Sequence, residues 1–209
     1  MRVRLLQLAA SWTAIAIGIP LVLRAELGVA PADVLNTGVS GKTGWSFGLT
    51  FVVTGVVTFA LGVALGGRLG WGSVAGSVVI GPLIELVLRQ VPEYERLAVR
   101  IPLLLVGILI VALGICLAIK TAFGPGPTEV LMLGLVRRGL GVVSARWIGD
   151  GLPVVIGLLL GGELGPGTIV FVLAMGPLVK LGLRRLGFQP TSNLGERPLV
   201  APASTVGQD

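Results

Sequence analysis

The sequence predicts an all-α polytopic membrane protein, built from two inverted repeats of three transmembrane helices, each repeat with a short re-entrant or interfacial helix. Three observations predict it. The 209 residues are 54% hydrophobic and 12% charged, with a mean hydropathy of +0.95, a balance foreign to soluble domains. The apolar residues gather into runs near the roughly 20 residues a helix needs to cross hydrocarbon. The order of runs, turns and punctuated stretches also occurs twice, with matching residues at matching places.

The first run, Leu5 to Leu23, follows Arg2 and Arg4 and has the outline of a secretory signal peptide. Its core argues otherwise: AIGIPLVLR at Ala16 to Arg24 lines up with ALGICLAIK at Ala112 to Lys120. A cleaved leader would not share its core with an internal helix, so this segment is expected to stay as a membrane helix. A stretch punctuated by Gly and Pro follows from Leu27 to Gly44, then an apolar run from Trp45 to Leu65, the turn Gly66 to Gly70, and a run from Trp71 to Leu88. The charged loop Arg89 to Arg100 closes the first copy.

The second copy repeats the order: Ile101 to Ile119 apolar, Thr121 to Gly141 punctuated, Ala145 to Leu160 apolar, the turn Gly161 to Gly165, and Thr168 to Leu183 apolar. GGRLGWGS at Gly66 to Ser73 matches GGELGPGT at Gly161 to Thr168, and Gly81-Pro-Leu83 matches Gly176-Pro-Leu178. The predicted transmembrane domain is 1–186, with repeat one at 5–91 and repeat two at 101–186. From Gly187 the chain is polar and rich in Pro, Ser and Thr, the composition of a disordered tail over 187–209.

The 33 glycines are spread along the chain, well above the usual share of about 7%. Small residues let helix backbones approach closely in lipid. The net charge of +6 lies in clusters at the ends of apolar runs, which reads as an orientation signal and not as a nucleic-acid surface. With one cysteine, Cys116, no internal disulfide forms, and its place inside an apolar run predicts a buried thiol. The absence of histidine excludes imidazole chemistry. Gly41-Lys42-Thr43 lacks the earlier glycine and the preceding strand of a phosphate-binding loop. No nucleophile and base, cofactor fingerprint or metal-ligand spacing stands out, so the chain is expected to be neither an enzyme nor a cofactor carrier.

Three crossings per copy is an odd number, so the second copy is expected to enter the membrane upside down. The charges fit. With the N-terminus inside, only Arg24, Lys42, Arg89, Arg96 and Arg100 fall outside, and the remainder of the 16 Lys and Arg fall inside. Matched positions change in the same sense: Arg68 faces Glu163 in the alignment, while Glu85 and Gln90 face Lys180 and Arg185. The expected location is the plasma membrane, with several passes and both termini cytoplasmic.

The punctuated stretches carry the strongest functional signal. Pro31 and Pro127 are each followed two residues later by an acid, Asp33 or Glu129. Proline at the first helical position with a carboxylate in the first turn marks a helix start. Short segments at matching places in two inverted halves point to a transporter's site, and interfacial helices with the acids as caps are the alternative. Asp150 is the second signal, an acid inside an apolar run one turn after Arg146. It pairs with Arg146 at i, i+4 or serves the solute. The aligned residues Phe51 and Gly55 are uncharged, so a single site should lean toward the second half.

The Gly-x-x-Pro-x-Asp at Gly28 to Asp33, GPGPTE at Gly124 to Glu129, the paired glycine turns and Arg-x-x-x-Asp at Arg146 to Asp150 resemble the YczE/YyaS/YitT family of bacterial membrane proteins. The resemblance covers Leu5 to Leu186 and implies architecture more than activity. The leading expectation is a secondary transporter or permease for a small solute, its site between the halves and formed by Asp33, Glu129, Arg146, Asp150, Pro31 and Pro127. The alternative is a non-transporting membrane protein that assists or regulates a partner complex. Expected partners are therefore the lipid bilayer, a small solute, and a second copy or a membrane partner protein.

Overall fold

The computed structural model describes residues 2–186 apart from 122 and 125, and no side chain at 142 and 143. The expected tail, 187–209, lies outside the described residues. Eight helices are described: α1 (Arg2–Ala25), α2 (Pro31–Thr43), α3 (Phe47–Ala64), α4 (Trp71–Leu88), α5 (Leu97–Thr121), α6 (Pro127–Arg137), α7 (Val142–Leu159) and α8 (Pro166–Arg185). No strand occurs among the described residues. Helices α1, α3, α4, α5 and α8 are long and apolar enough to cross a membrane. Helix α7 has 18 residues, the length of α3 and α4.

Local chemistry sets the boundaries. Pro31, Pro127 and Pro166 open α2, α6 and α8, where proline's missing donor has no helical partner to lose. Gly44, at φ 71°, ends α2 in the left-handed conformation. Helix α1 starts at Arg2 and α5 at Leu97, earlier than the apolar runs, because Arg4 and Arg100 interrupt the apolar pattern without breaking the helix.

Helices α1 and α5 form the antiparallel centre. Backbones touch at Gly18 against Gly107 and Val111, and at Gly114 against Ser11 and Ile15. Ser11 Oγ donates to the Gly114 carbonyl over 2.8 Å. Ala16, Ile19, Val22, Ile84, Leu104 and Ile108 fill the core around this seam. Such contacts favour glycine because a Cβ would lie 2.6 Å from Val111 at Gly18 and 2.7 Å from Ile15 at Gly114.

The ends of the bundle separate by charge partner. At one end Arg24 meets Glu93 and donates to the Leu88 carbonyl, Arg100 pairs with Glu26, and the α7–α8 turn lies beside Gly28. At the other end Arg137 and Arg138 donate to the carbonyls of Gly66 and Ala64, and Lys120 donates to that of Leu186.

Residues 123 and 124, between α5 and α6, pack along α4. Gly72 N–H donates to the Phe123 carbonyl over 3.1 Å, Gly124 packs against Ser73, and Pro127 lies near Ser77 through the shared neighbour Gly55. From Gly72 to Ser77 these contacts cover little more than one turn of α4. Helix α6 then returns along α3: Pro127 beside Gly55, Val130 against Gly62 and Gly67, Gly134 against Leu65, Arg137 on Gly66.

The segment before α2 begins in the same way. Gly167 N–H donates to the Leu27 carbonyl over 2.6 Å, and Gly28 packs against Gly165 and Thr168. Val34 then meets Gly157 and Gly162, and Gly38 meets Leu160. Gly28 and Gly124 hold φ of 110° and 141°, so a side chain there would be strained as well as crowded. The two sets of contacts differ in one place. A Cβ on Gly48 would collide with the Gly81 carbonyl between α3 and α4, whereas Gly176 on α8 faces open space.

Candidate functional site

The first turn of α6 meets α7. Arg146 Nη1 lies 3.2 Å from Glu129 Oε1, and Arg146 Nε lies 2.7 Å from Asp150 Oδ2. One guanidinium thus bridges two carboxylates from two helices, a use suited to its planar fork of donors. Thr128 Oγ1 donates to Glu129 Oε2 over 3.2 Å. The Thr128 carbonyl lies beside Gly149, at a distance that leaves room for a Cβ. The cluster carries a formal charge of −1 and remains accessible: Arg146 is 48% exposed, Glu129 41% and Asp150 35%.

Asp33 is held differently. It lies in the first turn of α2 and is only 5% exposed. Asn36 Nδ2 donates to Asp33 Oδ1 over 2.9 Å, and Thr54 on α3 donates to Asn36 Oδ1. No cationic side chain reaches Asp33 among the described residues. The effective penalty for burying an ion is several kcal/mol, while a helix N-terminus returns at most about 2 kcal/mol.

Of the six residues that the sequence singles out, three converge: Glu129, Arg146 and Asp150. Asp33 forms a separate centre, and Pro31 and Pro127 set helix starts without polar contacts of their own. Neither acid accepts a bond from a helix amide among the described residues, and both lie in the first turn, where the helix dipole favours a negative charge. Sequence reasoning passed over Asn36 and Thr54. Asn36 carried a signal, since a residue three places after Asp33 shares its helix face.

A second polar feature lies at the Arg100 end of the bundle. Glu26, Arg100 and Glu163 border an open cleft of about 440 Å³, whose walls include Gly28, Gly165 and Pro166. The Arg100 guanidinium lies 3.2 Å from Glu26, and Glu163 N–H donates to Thr37 Oγ1 over 2.9 Å. Partial desolvation and the nearby Glu26 charge push the Glu163 carboxyl above the ordinary glutamate range.

Residues 2–184 match the model of DUF6198, a family of unknown function. The chain belongs to this family. This DUF6198 chain is also similar to an uncharacterized protein of Haemophilus influenzae, 27% identical over 175 residues, which cover 83% of this chain and 80% of the relative. No solved structure matches the chain. The family match spans the charged cluster on α6 and α7 as well as the Asp33 centre on α2.

Proposed function

We propose that this DUF6198 protein is a secondary transporter or permease for a small solute, with its site at Glu129, Arg146 and Asp150. The observation that carries the reading is the meeting of Glu129, in the first turn of α6, with Arg146 and Asp150 on α7, all three accessible, charges that this reading sets within the depth of the bilayer. Charged side chains open to hydrocarbon are very costly. An accessible charged cluster at that depth therefore calls for water, and irregular backbone at depth is tolerated where it lines a cavity.

The rest of the architecture is part of the same reading. The recurring contacts of the two segments support three-plus-three inverted repeats with α7 as the sixth crossing. In that arrangement the segments 27–43 and 123–137 are re-entrant, starting inside the membrane and returning to the face they left. The grouping of Arg24, Arg89 and Arg100 at one end, and of Lys120, Arg137 and Arg138 at the other, supports cytoplasmic termini in a plasma membrane. The motifs at Gly28 to Asp33 and Gly124 to Glu129 support kinship with the YczE/YyaS/YitT proteins.

The test is a comparison of metabolites inside and outside cells that lack the protein, overproduce it, or overproduce an equally abundant Asp150→Asn variant. Redistribution of one solute class by the wild type and not by the variant is the expected result. If no solute moves, the partner-assisting reading takes its place. The open face of α8 at Gly176 favours that second reading, because small residues serve helix docking.

A further inference from the structure

We propose that Asp33 is a proton-binding site, taking up and releasing a proton where its counterpart Glu129 uses an arginine. The two acids occupy matching first-turn positions behind Pro31 and Pro127. Glu129 is accessible and paired with Arg146. Asp33 is 5% exposed and bonded to a neutral amide, which is in turn bonded to a neutral hydroxyl. A carboxylate sealed from water with only neutral partners is best held as the acid, whose O–H adds a donor to the network.

The neighbours leave the proton as the balancing charge. Helix α3 contains no ionisable residue. Those on α7 are Arg146 and Asp150, which pair with each other. Lys42 lies at the far end of α2 and is exposed. Glu163 touches α2 through its backbone N–H on Thr37 and not through its carboxylate. On α8 the charges Lys180, Arg184 and Arg185 lie toward the end away from Gly28.

Exchange needs the contact between α2 and α3 to open. Thr50, Thr54 and Thr58 recur every four residues along α3. Thr50 and Thr58 donate to the carbonyl one turn back, while Thr54 has one proton to share between the Thr50 carbonyl and Asn36. The proton comes from water when the α2–α3 contact opens and returns to water at the next opening, with no bond made to solute and no electron transferred. Under the transport function proposed above, on which this clause rests, that proton is the coupling ion.

The test is infrared spectroscopy of the full chain in lipid vesicles, titrated from mildly acidic to alkaline pH in sodium-free buffer. The expected result is a protonated-carboxyl band that titrates in the wild type, disappears in Asp33→Asn and persists in Glu129→Gln. Thr54→Val, which removes a hydroxyl from the network without touching the acid, should shift the band and keep it. That variant keeps the test open if Asp33→Asn fails to fold. A wild type without the band, or a band unaffected by both Asp33→Asn and Thr54→Val, overturns the proposal. So does a band that sodium alone removes, since the site would then hold a metal cation. Solute redistribution without the band would leave the transport reading standing, and the band without redistribution would leave only the proton site.

Discussion

Arg146 on α7 lies 3.2 Å from Glu129 on α6, and this contact ties a short proline-initiated helix to the long helix beside it. The same guanidinium holds Asp150 at 2.7 Å. Removing Arg146 therefore leaves two carboxylates facing each other without a counter-charge.

Arg146→Ala should lower stability by about 1 kcal/mol, because partly exposed pairs are each worth no more than about 1 kcal/mol. The same variant should abolish solute redistribution. Arg146→Lys restores the charge but not the two-sided fork, so it should recover stability more than transport. Thermal unfolding in detergent, read beside solute levels, checks both. Equal recovery of the two would show that the fork does not matter.

The glycine contacts give a sharper contrast. A Cβ at Gly62 would lie 2.8 Å from Leu131 N, and one at Gly157 would strike the Val34 carbonyl. Gly62→Ala and Gly157→Ala should each cost about 1–3 kcal/mol through overpacking. Gly41, also in a helix, has open space around it. Gly41→Ala should stabilise by up to about 1 kcal/mol. Melting temperatures of the three variants check this, and a loss at Gly41 equal to the others would contradict the packing.

Much of this was legible in the sequence because hydropathy and repeats are local signals. The glycine-rich turns in GGRLGWGS and GGELGPGT each lead into a long helix, α4 and α8. Pro31 and Pro127 marked their helix starts to the residue. The division between Asp33 and Glu129 was not legible, since burial and pairing depend on which helix packs against each acid. Thr54 lies 18 residues from Asn36, and no local pattern joins them. Glu26 and Glu163 meet at one cleft from distant parts of the sequence, a relationship that exists only once the chain is folded.

Glu163 provides a pH prediction. Its folded carboxyl titrates above the ordinary glutamate range, so in that window the folded state binds more protons than the unfolded state. Stability should therefore fall as pH rises from the ordinary range through the raised value, and recover on acidification. Glu163→Gln should flatten that slope and stabilise slightly at neutral pH. Because Glu163 is exposed, the slope is shallow. Unfolding midpoints of the two proteins across the window check it, and parallel curves would contradict the assignment.

Reporters fused at three places test the orientation. A fusion within Arg89 to Arg100 should report the outside, and fusions at Gly139 and after Leu186 should report the cytoplasm. A cytoplasmic reading from the Arg89 loop would contradict the inverted arrangement.

The account rests on water reaching the charged cluster from within an apolar bundle. In a Cys116→Ala background, Thr128→Cys places a thiol beside Glu129, and Val106→Cys places one on an exposed apolar position of α5. Both are treated with a small membrane-impermeant thiol reagent in sealed vesicles of each orientation. The account predicts modification of Thr128→Cys from at least one side and none of Val106→Cys. Equal resistance of the two thiols would mean that no aqueous cavity reaches Arg146, and the central claim would fall.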